Sequence, residues 1–295
     1  MDSAHTPVLL EEVLSWLNIQ PTGTYIDATM GLGGHSIEIA RRLTTGKLIG
    51  IDRDAQALEI ARERLKEFEA NVKLVQANFG RIDEVARELN LTPADGVLAD
   101  LGVSSMQLDR PERGFSFRAA GPLDMRMDDT AEVTADEIVN GWRERELADL
   151  LYQNAEEHDS RRIARAIVRA RPIRSTEHLA TVVAGARKMG GRQRLHPATK
   201  TFLALRIAVN RELEELGQFL GRTPATLKFG GRMVVLSYHS LEDRLVKRSF
   251  QNQARAGVLR IITKKAVQPS FHEIDSNPRA RSAKLRAAEK MAVGQ

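Results

Sequence analysis

Acidic residues and a glycine-rich run follow short apolar segments of the chain, in positions where they could bind a ligand. The run Asp27-Ala-Thr-Met-Gly31-Leu-Gly33-Gly34-His35-Ser36 begins where the first of these segments ends. Glycines there permit positive φ angles and let backbone N–H groups approach an anionic group. Asp52 ends the next segment, 21 residues beyond Gly31, where an acid hydrogen-bonds ribose hydroxyls. The pattern predicts a nucleoside site.

The glycine run alone does not separate a dinucleotide site from an S-adenosylmethionine site. A dinucleotide G-x-G-x-x-G pattern that starts at Gly31 needs glycine at position 36, where this chain has Ser36. A third apolar segment leads to Phe79, whose ring could pack on adenine. A fourth ends at Asp100, beside the reactive end of the ligand. We therefore expect S-adenosylmethionine as the cofactor.

Alternating strands and helices must position these residues. Four apolar runs predict buried parallel strands, namely Thr24–Asp27, Leu48–Ile51, Val72–Val75 and Gly96–Ala99. The segments between them place apolar residues at helical spacing, over residues 36–43, 55–68 and 82–89. The alternation predicts the α/β class with a Rossmann-like doubly wound sheet. Because the carboxyl ends of parallel strands share one edge, Asp52, Asp100 and the glycine run should converge there.

The alternation stops after the fourth strand. Residues 102–129 show no period and predict a long loop, and residues 134–187 predict several helices. Thr134 and Glu137 form a candidate capping box, and Pro172 separates two of the helices. No strand pattern interrupts this helical stretch.

After the helical stretch, the sequence again predicts a strand of the sheet. Residues 199–220 predict a helix, Gly230-Gly231 a turn, and residues 232–237 a late strand. We therefore predict a core formed by residues 1–104 and 199–295, with residues 105–198 as an inserted helical domain.

The charge of the chain is unevenly distributed. Its formal net charge is +5, yet residues 244–295 contain 12 Lys or Arg against 3 Asp or Glu. Residues 158–200 contain 11 Lys or Arg against Asp159 and Glu177. Two such clusters predict a polyanionic partner whose phosphates they contact. The alternative is a pair of solvated helical faces.

Composition excludes several classes of protein. With no cysteine, the chain has no disulfide, no thiolate metal site and no cysteine nucleophile. No apolar run is long enough for a membrane span, and the first residues lack a signal region. The histidines show no metal-ligand spacing, so we expect no catalytic metal. We expect a cytoplasmic protein that does not bind a membrane.

Eight motifs occur in order along nearly the whole chain. They are His5-Thr-Pro-Val-Leu-Leu-Glu-Glu-Val13, Gly31-Leu-Gly-Gly-His-Ser36, Ile51-Asp-Arg-Asp54, Asp100-Leu-Gly-Val-Ser-Ser-Met-Gln-Leu-Asp109, Arg113-Gly-Phe-Ser-Phe117, Gly121-Pro-Leu-Asp-Met-Arg-Met-Asp128, Ser237-Tyr-His-Ser-Leu-Glu-Asp-Arg244 and Asn277-Pro-Arg-Ala-Arg-Ser-Ala-Lys284. Together they resemble the bacterial ribosomal RNA small-subunit methyltransferase H family, also called MraW.

The resemblance implies a class I S-adenosylmethionine-dependent methyltransferase with an inserted all-helical substrate-recognition domain. It implies methyl transfer to N4 of a cytidine in the decoding region of 16S ribosomal RNA, within an assembled or nearly assembled small ribosomal subunit. It also implies a set of residues that bind S-adenosylmethionine. They are Gly33, Gly34, His35, Asp52, Phe79, Asp100 and Gln107.

Methylation of N4 sets a chemical requirement, because the lone pair of this amine is delocalised into the ring. The site must accept hydrogen bonds from the amine, and we expect Asp100, or carbonyls of the turn after it, to do so. The alternative role for Asp100 is to bind the cofactor. Amino methyltransferases of DNA bases carry an Asp/Asn/Ser-Pro-Pro-aromatic turn here, whereas this chain has Asp100-Leu-Gly-Val-Ser104 without the two prolines.

Residues after the late strand are candidates to hold a single-stranded or flipped cytosine. Tyr238 and His239 could stack on the base or bond its edge. His239 is also a candidate catalytic proton relay, and the alternative is a structural histidine. For His35, the alternative to a side-chain role is that only its backbone, at the start of a helix, contacts the ligand.

Three other functions fit part of the pattern. A methyltransferase could act on a small molecule or protein, and a flat salt response of RNA binding would favour it. An RNA-binding protein without catalysis would bind no S-adenosylmethionine. A dehydrogenase would bind a nicotinamide cofactor instead.

Overall fold

The computed structural model describes residues 7–91, 93–187 and 196–292. His5 and Thr6, which begin the first motif, lie outside the described residues. The chain forms two compact units, which we call the sheet unit (Met1–Gly102 with Leu213–Gln295) and the helical unit (Val103–Glu212). No helix of the described residues is both long and apolar enough to cross a membrane.

The sheet unit is built on seven strands. They are β1 (Thr24–Asp27), β2 (Lys47–Asp52), β3 (Val72–Gln76), β4 (Ala94–Asp100), β5 (Leu227–Ser237), β6 (Leu259–Ile261) and β7 (Lys284–Lys290). Their order in the sheet is β3-β2-β1-β4-β5-β7-β6. The first five are parallel, and β7 is antiparallel to both β5 and β6. This architecture confirms the predicted α/β class and doubly wound sheet.

Helices cover the sheet. In this unit they are α1 (Leu10–Leu17), α2 (Gly34–Ala40), α3 (Ala55–Arg64), α4 (Ile82–Glu88), α11 (Glu212–Thr226), α12 (Ser240–Arg255) and α13 (Phe271–Ser276). Two apolar clusters form, and neighbouring residues of one strand enter different clusters, as Tyr25 and Ile26 do. Side chains alternate across a strand, so the two clusters are the layers on opposite faces of the sheet.

The last parallel strand departs from its predicted form. Ala94 pairs with Leu227 but Gly96 pairs with Arg232, so β5 carries extra residues opposite one residue of β4. Gly230, with φ 76°, lies in this irregular stretch. The predicted Gly230-Gly231 turn is therefore a bulge inside a longer strand, where glycine permits the positive φ.

The helical unit has its own apolar core, and every regular element among its described residues is a helix. These are α5 (Ser105–Asp109), α6 (Ala135–Gly141), α7 (Glu144–Ala155), α8 (Ser160–Ala170), α9 (Thr176–Ala186) and α10 (Thr199–Asn210), with a 3₁₀ turn at Pro111–Arg113. The predicted capping box at α6 is present, since Thr134 Oγ1 accepts from Glu137 N. Pro172 separates α8 from α9, as predicted.

The helical unit ends later than the predicted insertion, at residue 212 rather than 198. Phe202 and Leu205 of α10 pack into its core, and the Asn210 side chain bonds the backbone of Met125 and Met127. The predicted helix over residues 199–220 is in fact two helices, because Arg211 adopts a positive φ of 50° between α10 and α11.

Candidate active site

Three aspartates end adjacent parallel strands at the carboxyl edge of the sheet. Asp27 ends β1, Asp52 ends β2 and Asp100 ends β4, and the order β2-β1-β4 makes these strands neighbours. Ligands bind at this edge in doubly wound sheets. The structure therefore brings together the acids that the sequence places at separate strand ends.

Asp52 connects the glycine loop to the end of β2. Its Oδ2 accepts a hydrogen bond from Gly31 N at 2.7 Å, and its Oδ1 accepts from Asp54 N at 2.9 Å. Gly31 and Gly33 have φ angles of 50° and 78°, which glycine adopts without strain. Burial raises the pKa of Asp52 above its usual value. These bonds fix the loop at the position where α2 starts.

Gly33 is the N-cap of α2, and Gly34 is the first residue of that helix. Among the described residues, no side chain accepts a hydrogen bond at this N-cap. Backbone N–H groups at a helix start have no partner inside the helix and carry partial positive charge. The loop can thus offer N–H donors to the carboxylate of a bound ligand.

Asp27 is buried behind the loop. Its Oδ2 accepts from the Ser36 hydroxyl at 2.7 Å, and its Oδ1 accepts from Thr29 N at 3.2 Å. Burial raises its pKa to about 6, although the Ser36 bond acts in the opposite direction. A buried carboxyl group that is reluctant to ionise is thus bonded to residues of the glycine-rich run.

Asp100 is held from several sides. Its backbone N–H donates to Thr29 Oγ1 at 2.6 Å, and its Oδ1 accepts from the Tyr238 hydroxyl at 2.7 Å. Its Oδ2 lies 3.5 Å from His35 Nδ1. The Asp100 side chain is still 27% exposed. A ligand can therefore reach a carboxylate whose orientation is fixed by its neighbours.

The His35 side chain is buried and only 6% exposed. Its Nε2 lies 2.9 Å from the carbonyl oxygen of Val8. Because a carbonyl oxygen can only accept, Nε2 carries the hydrogen and donates it. Nδ1 is then the ring nitrogen that faces Asp100. The His35 side chain is therefore held by the segment before α1.

Tyr238, which immediately follows β5, acts as a hydrogen-bond donor in this site. Burial and the nearby charge of Asp100 raise its pKa well above the usual value, so the hydroxyl keeps its proton. That hydroxyl is bound to Asp100. The geometry therefore favours a role in orienting Asp100 over the expected stacking on a base.

Phe79 lies three residues after the end of β3 and is mostly buried. Its ring centre is 5.3 Å from that of Phe219 in the core, and the guanidinium carbon of Arg53 lies 5.9 Å from its ring centre. Gln107 lies in the helical unit instead, where its side chain accepts from Ser104 N and completes the capping box of α5.

His239 caps a helix. It is the N-cap of α12, where its Nδ1 accepts from Glu242 N at 3.4 Å and its Nε2 lies 3.1 Å from Glu242 Oε1. The other oxygen of Glu242 accepts from Tyr238 N. Nδ1 thus serves the cap, whereas Nε2 is buried without a hydrogen-bond partner among the described residues. The contact of Nδ1 is that of a structural histidine.

Asp27, Thr29 and the donor role of Tyr238 are site features that sequence reasoning missed. Asp27 ends its strand as Asp52 and Asp100 end theirs, and this repetition was the available signal. Tyr238 gives no such signal, because its hydroxyl reaches Asp100 across 138 residues of sequence only through the pairing of β4 with β5.

The charge of the site indicates the kind of ligand that fits. Carboxyl groups at three neighbouring strand ends attract a cation and repel a pyrophosphate. S-adenosylmethionine carries a sulfonium and an ammonium group, which these acids suit, and a carboxylate, which the N–H donors at the start of α2 suit. The donor set fits this cofactor better than a dinucleotide.

Comparison with known proteins agrees with this assignment. The model of the MraW methylase family matches residues 2–291. A ribosomal RNA small subunit methyltransferase H of Koribacter versatilis is 53% identical, over 97% of this chain and 93% of that protein. Proteins of the same name from Solibacter usitatus and Acidobacterium capsulatum are 52% and 49% identical, over 97% of this chain and 99% and 98% of theirs. The chain belongs to the MraW methylase family.

Proposed function

We propose that this chain transfers a methyl group from S-adenosylmethionine to N4 of a cytidine in small-subunit ribosomal RNA. The observation that supports it most is the Asp100 carboxylate, which is partly exposed at the carboxyl edge of the sheet and oriented by the Tyr238 hydroxyl. Such a group can accept a hydrogen bond from an exocyclic amine. The family membership supplies the reaction class.

The cofactor would bind along the carboxyl edge of the sheet. We assign its binding to Gly33, Gly34, His35, Asp52, Phe79, Asp100 and Gln107. When bound, it supplies a methyl group on a sulfonium, which is transferred by direct displacement. N–H groups at the start of α2 would bind its carboxylate, and Asp52 its ribose. His35 contributes its backbone here, since its side chain is bonded to Val8.

The protein must make N4 of cytosine a better nucleophile. Asp100 would accept a hydrogen bond from an N4 hydrogen and so favour a pyramidal nitrogen with its lone pair available. The amine gains the methyl group and loses one proton, which Asp100 accepts and passes to solvent through its exposed side. Tyr238 is a positioning residue, because it acts through Asp100. Most of the rate enhancement would come from alignment.

The substrate assignment has two supports. The relatives are named for small-subunit ribosomal RNA, which implies an RNA substrate for this chain. The two basic segments supply the positive charge that RNA binding needs. We assign substrate recognition to the helical unit. We further propose that the substrate is an assembled or nearly assembled small subunit and that the protein acts in the cytoplasm.

Methyl transfer and cofactor binding are best measured on the same two proteins. The native chain is expected to transfer labelled methyl from S-adenosylmethionine to small-subunit ribosomal RNA. The Asp100→Asn variant should still bind the cofactor in a calorimeter, because the other six residues assigned to the cofactor remain, but it should transfer little methyl. If the variant loses cofactor binding as well, Asp100 binds the cofactor instead. If the native chain transfers methyl only to a protein or small molecule, the RNA assignment is wrong.

A further inference from the structure

Helix α8 of the helical unit has two faces of opposite character. Its inward face buries Ile163, Ala164 and Ile167 in the core of the unit. Its outward face exposes four arginines, namely Arg161, Arg162, Arg165 and Arg169. The sequence shows that this stretch is basic, and the structure shows that all four side chains share one surface.

The spacing of these arginines makes a continuous row. Arg161, Arg165 and Arg169 are four residues apart, so they lie one turn above another, and Arg162 adjoins them. At a rise of 1.5 Å per residue, the row is about 12 Å long. Like charges four residues apart destabilise a helix, so the row is unfavourable for local stability. A binding role would account for it.

Most of this charge has no acidic partner in the part of the chain that the structure describes. Arg165 lies 3.4 Å from Glu144 of α7, and both side chains are well exposed. Within residues 7–91, 93–187 and 196–292, Arg161, Arg162 and Arg169 form no ion pair. By contrast, Arg171 donates to the carbonyl oxygens of Val139 and Trp142 and is a structural residue.

An exposed aromatic ring lies near the start of the row. Tyr152 of α7 is 56% exposed, and its ring centre is 6.5 Å from that of His158 in an edge-on arrangement. His158 is also exposed and precedes Arg161 by three residues. Proteins that bind single-stranded nucleic acid pair a basic surface with aromatic rings on which bases stack.

We propose that the outward arginines of α8 and Tyr152 of α7, which together we call the α8 surface (Arg161, Arg162, Arg165, Arg169 and Tyr152), bind the RNA substrate. The arginines contact its phosphate backbone, and Tyr152 stacks on an unpaired base. The inference rests on the proposed function. Guanidinium groups bind phosphate oxygens in pairs, which suits a row of arginines to RNA. The α8 surface carries no exposed aliphatic residue that would insert into a membrane.

A triple substitution tests the α8 surface. Arg161, Arg162 and Arg169 are changed together to Gln, which removes three positive charges and no ion pair of the described structure. The control changes Arg41, Arg62 and Arg87 to Gln, which removes three exposed arginines of the sheet unit together with their short-range ion pairs on the same helices. Binding of a small-subunit RNA transcript and of S-adenosylmethionine is measured for the native protein and both variants, at several salt concentrations.

The α8 variant should bind the transcript at least tenfold more weakly than the native protein. The slope of log affinity against log salt should be smaller by about 2, because each lost phosphate contact on a single strand contributes about 0.7. Its affinity for S-adenosylmethionine should be unchanged. The control variant should stay within about twofold of the native protein for the RNA.

Charge-preserving and ring-preserving variants separate binding from folding. Changing the same three arginines to Lys should restore most of the RNA affinity. Tyr152→Ala should weaken RNA binding, while Tyr152→Phe should not.

Three results would overturn the inference. One is native-like RNA affinity and salt slope in the Gln variant, which leaves the proposed function intact if the native chain methylates RNA. Another is an equal loss in the control variant, which indicates a general charge effect. The last is a native chain that binds no RNA, which also removes the proposed function.

Discussion

The carboxylate of Asp100 owes its orientation to neighbours that lie far from it in sequence. Tyr238 donates to one of its oxygens, and His35 lies near the other. A hydrogen bond to a charged group is worth about 1.5–3 kcal/mol, enough to hold one side-chain rotamer. Loss of the Tyr238 hydroxyl should therefore alter catalysis through the position of Asp100.

Removal of the Tyr238 hydroxyl tests this positioning role. Tyr238→Phe keeps the ring and its packing but leaves one oxygen of Asp100 without its donor. We expect kcat to fall about tenfold to a hundredfold, which corresponds to the loss of one such bond, while the Kd for S-adenosylmethionine changes little. Tyr25→Phe is the control, because Tyr25 is a buried tyrosine of β1 whose hydroxyl bonds only backbone groups of residues 18 and 20 among the described contacts. Equal activity of the Tyr238 and Tyr25 variants would exclude the role.

The buried carboxyl of Asp27 should make stability depend on pH. Burial raises its pKa from 3.8 to about 6 in the folded protein. Between these values the unfolded chain releases the proton while the folded chain keeps it, so stability falls as pH rises through this window. In Asp27→Asn this contribution is absent. The native protein should therefore lose up to about 3 kcal/mol of unfolding free energy relative to the variant between pH 3.5 and 7.5.

Denaturant titrations of both proteins across this pH range measure the difference. An unchanged difference between acidic and neutral pH would show that Asp27 ionises normally in the folded protein.

Many residues of the site could be predicted from the sequence, and the others depend on tertiary contacts. Asp52 and Asp100 are recognisable because each ends an apolar run. The hydrogen bonds of Asp27 to Ser36 and Thr29 lie within one motif, yet their presence depends on the fold of the glycine loop.

At the scale of elements, the capping of a helix accounts for the position of His239, a candidate catalytic residue in the sequence. His239 is the N-cap of α12, and its Nδ1 accepts from Glu242 N. The same helix carries Asp243, whose carboxylate accepts from Lys284 and Arg286 of β7. Burial opposes ionisation of Asp243, but these two bonds outweigh it and lower its pKa. Two of the eight motifs thus meet in a contact that stabilises the antiparallel strand.

Substitutions of His239 separate a capping role from a catalytic one. Asparagine is a good N-cap, so His239→Asn should keep kcat within a few fold of the native value. His239→Ala should lower the unfolding free energy by about 1 kcal/mol, as the loss of a cap does. Thermal unfolding and methyl transfer are measured on both variants. A stable His239→Asn protein whose kcat is reduced more than tenfold would indicate that His239 is a proton relay.

It was easier to predict that a strand or helix exists than to predict where it ends or how the last strands pair. β1 matches its predicted bounds, and β2, β3 and β4 extend theirs by one or two residues at an end. The pairing of β6 and β7 was missed, because β6 has only three residues and β7 contains four charged ones among seven. The break at Arg211 was missed because helical periodicity continues across it.

At the scale of the whole molecule, the uneven charge distribution distinguishes an RNA substrate from a small one. Contacts to phosphates release counterions, so the KM for RNA should rise steeply between 50 and 200 mM salt. Three phosphate contacts alone predict roughly a twentyfold change over this range. The Kd for S-adenosylmethionine should move far less. Methyl-transfer kinetics and calorimetry at matched salt measure both, and a flat KM would favour an acceptor other than RNA.

The most direct test is to incubate the native chain and S-adenosylmethionine with small ribosomal subunits that lack the modification, then digest the RNA and identify its nucleosides by mass spectrometry. The proposed function predicts that N4-methylcytidine forms with the native chain and that none forms with the Asp100→Asn variant. A methyl group on another atom of the base, or no transfer to subunits or free RNA by a chain that binds the cofactor, would contradict it.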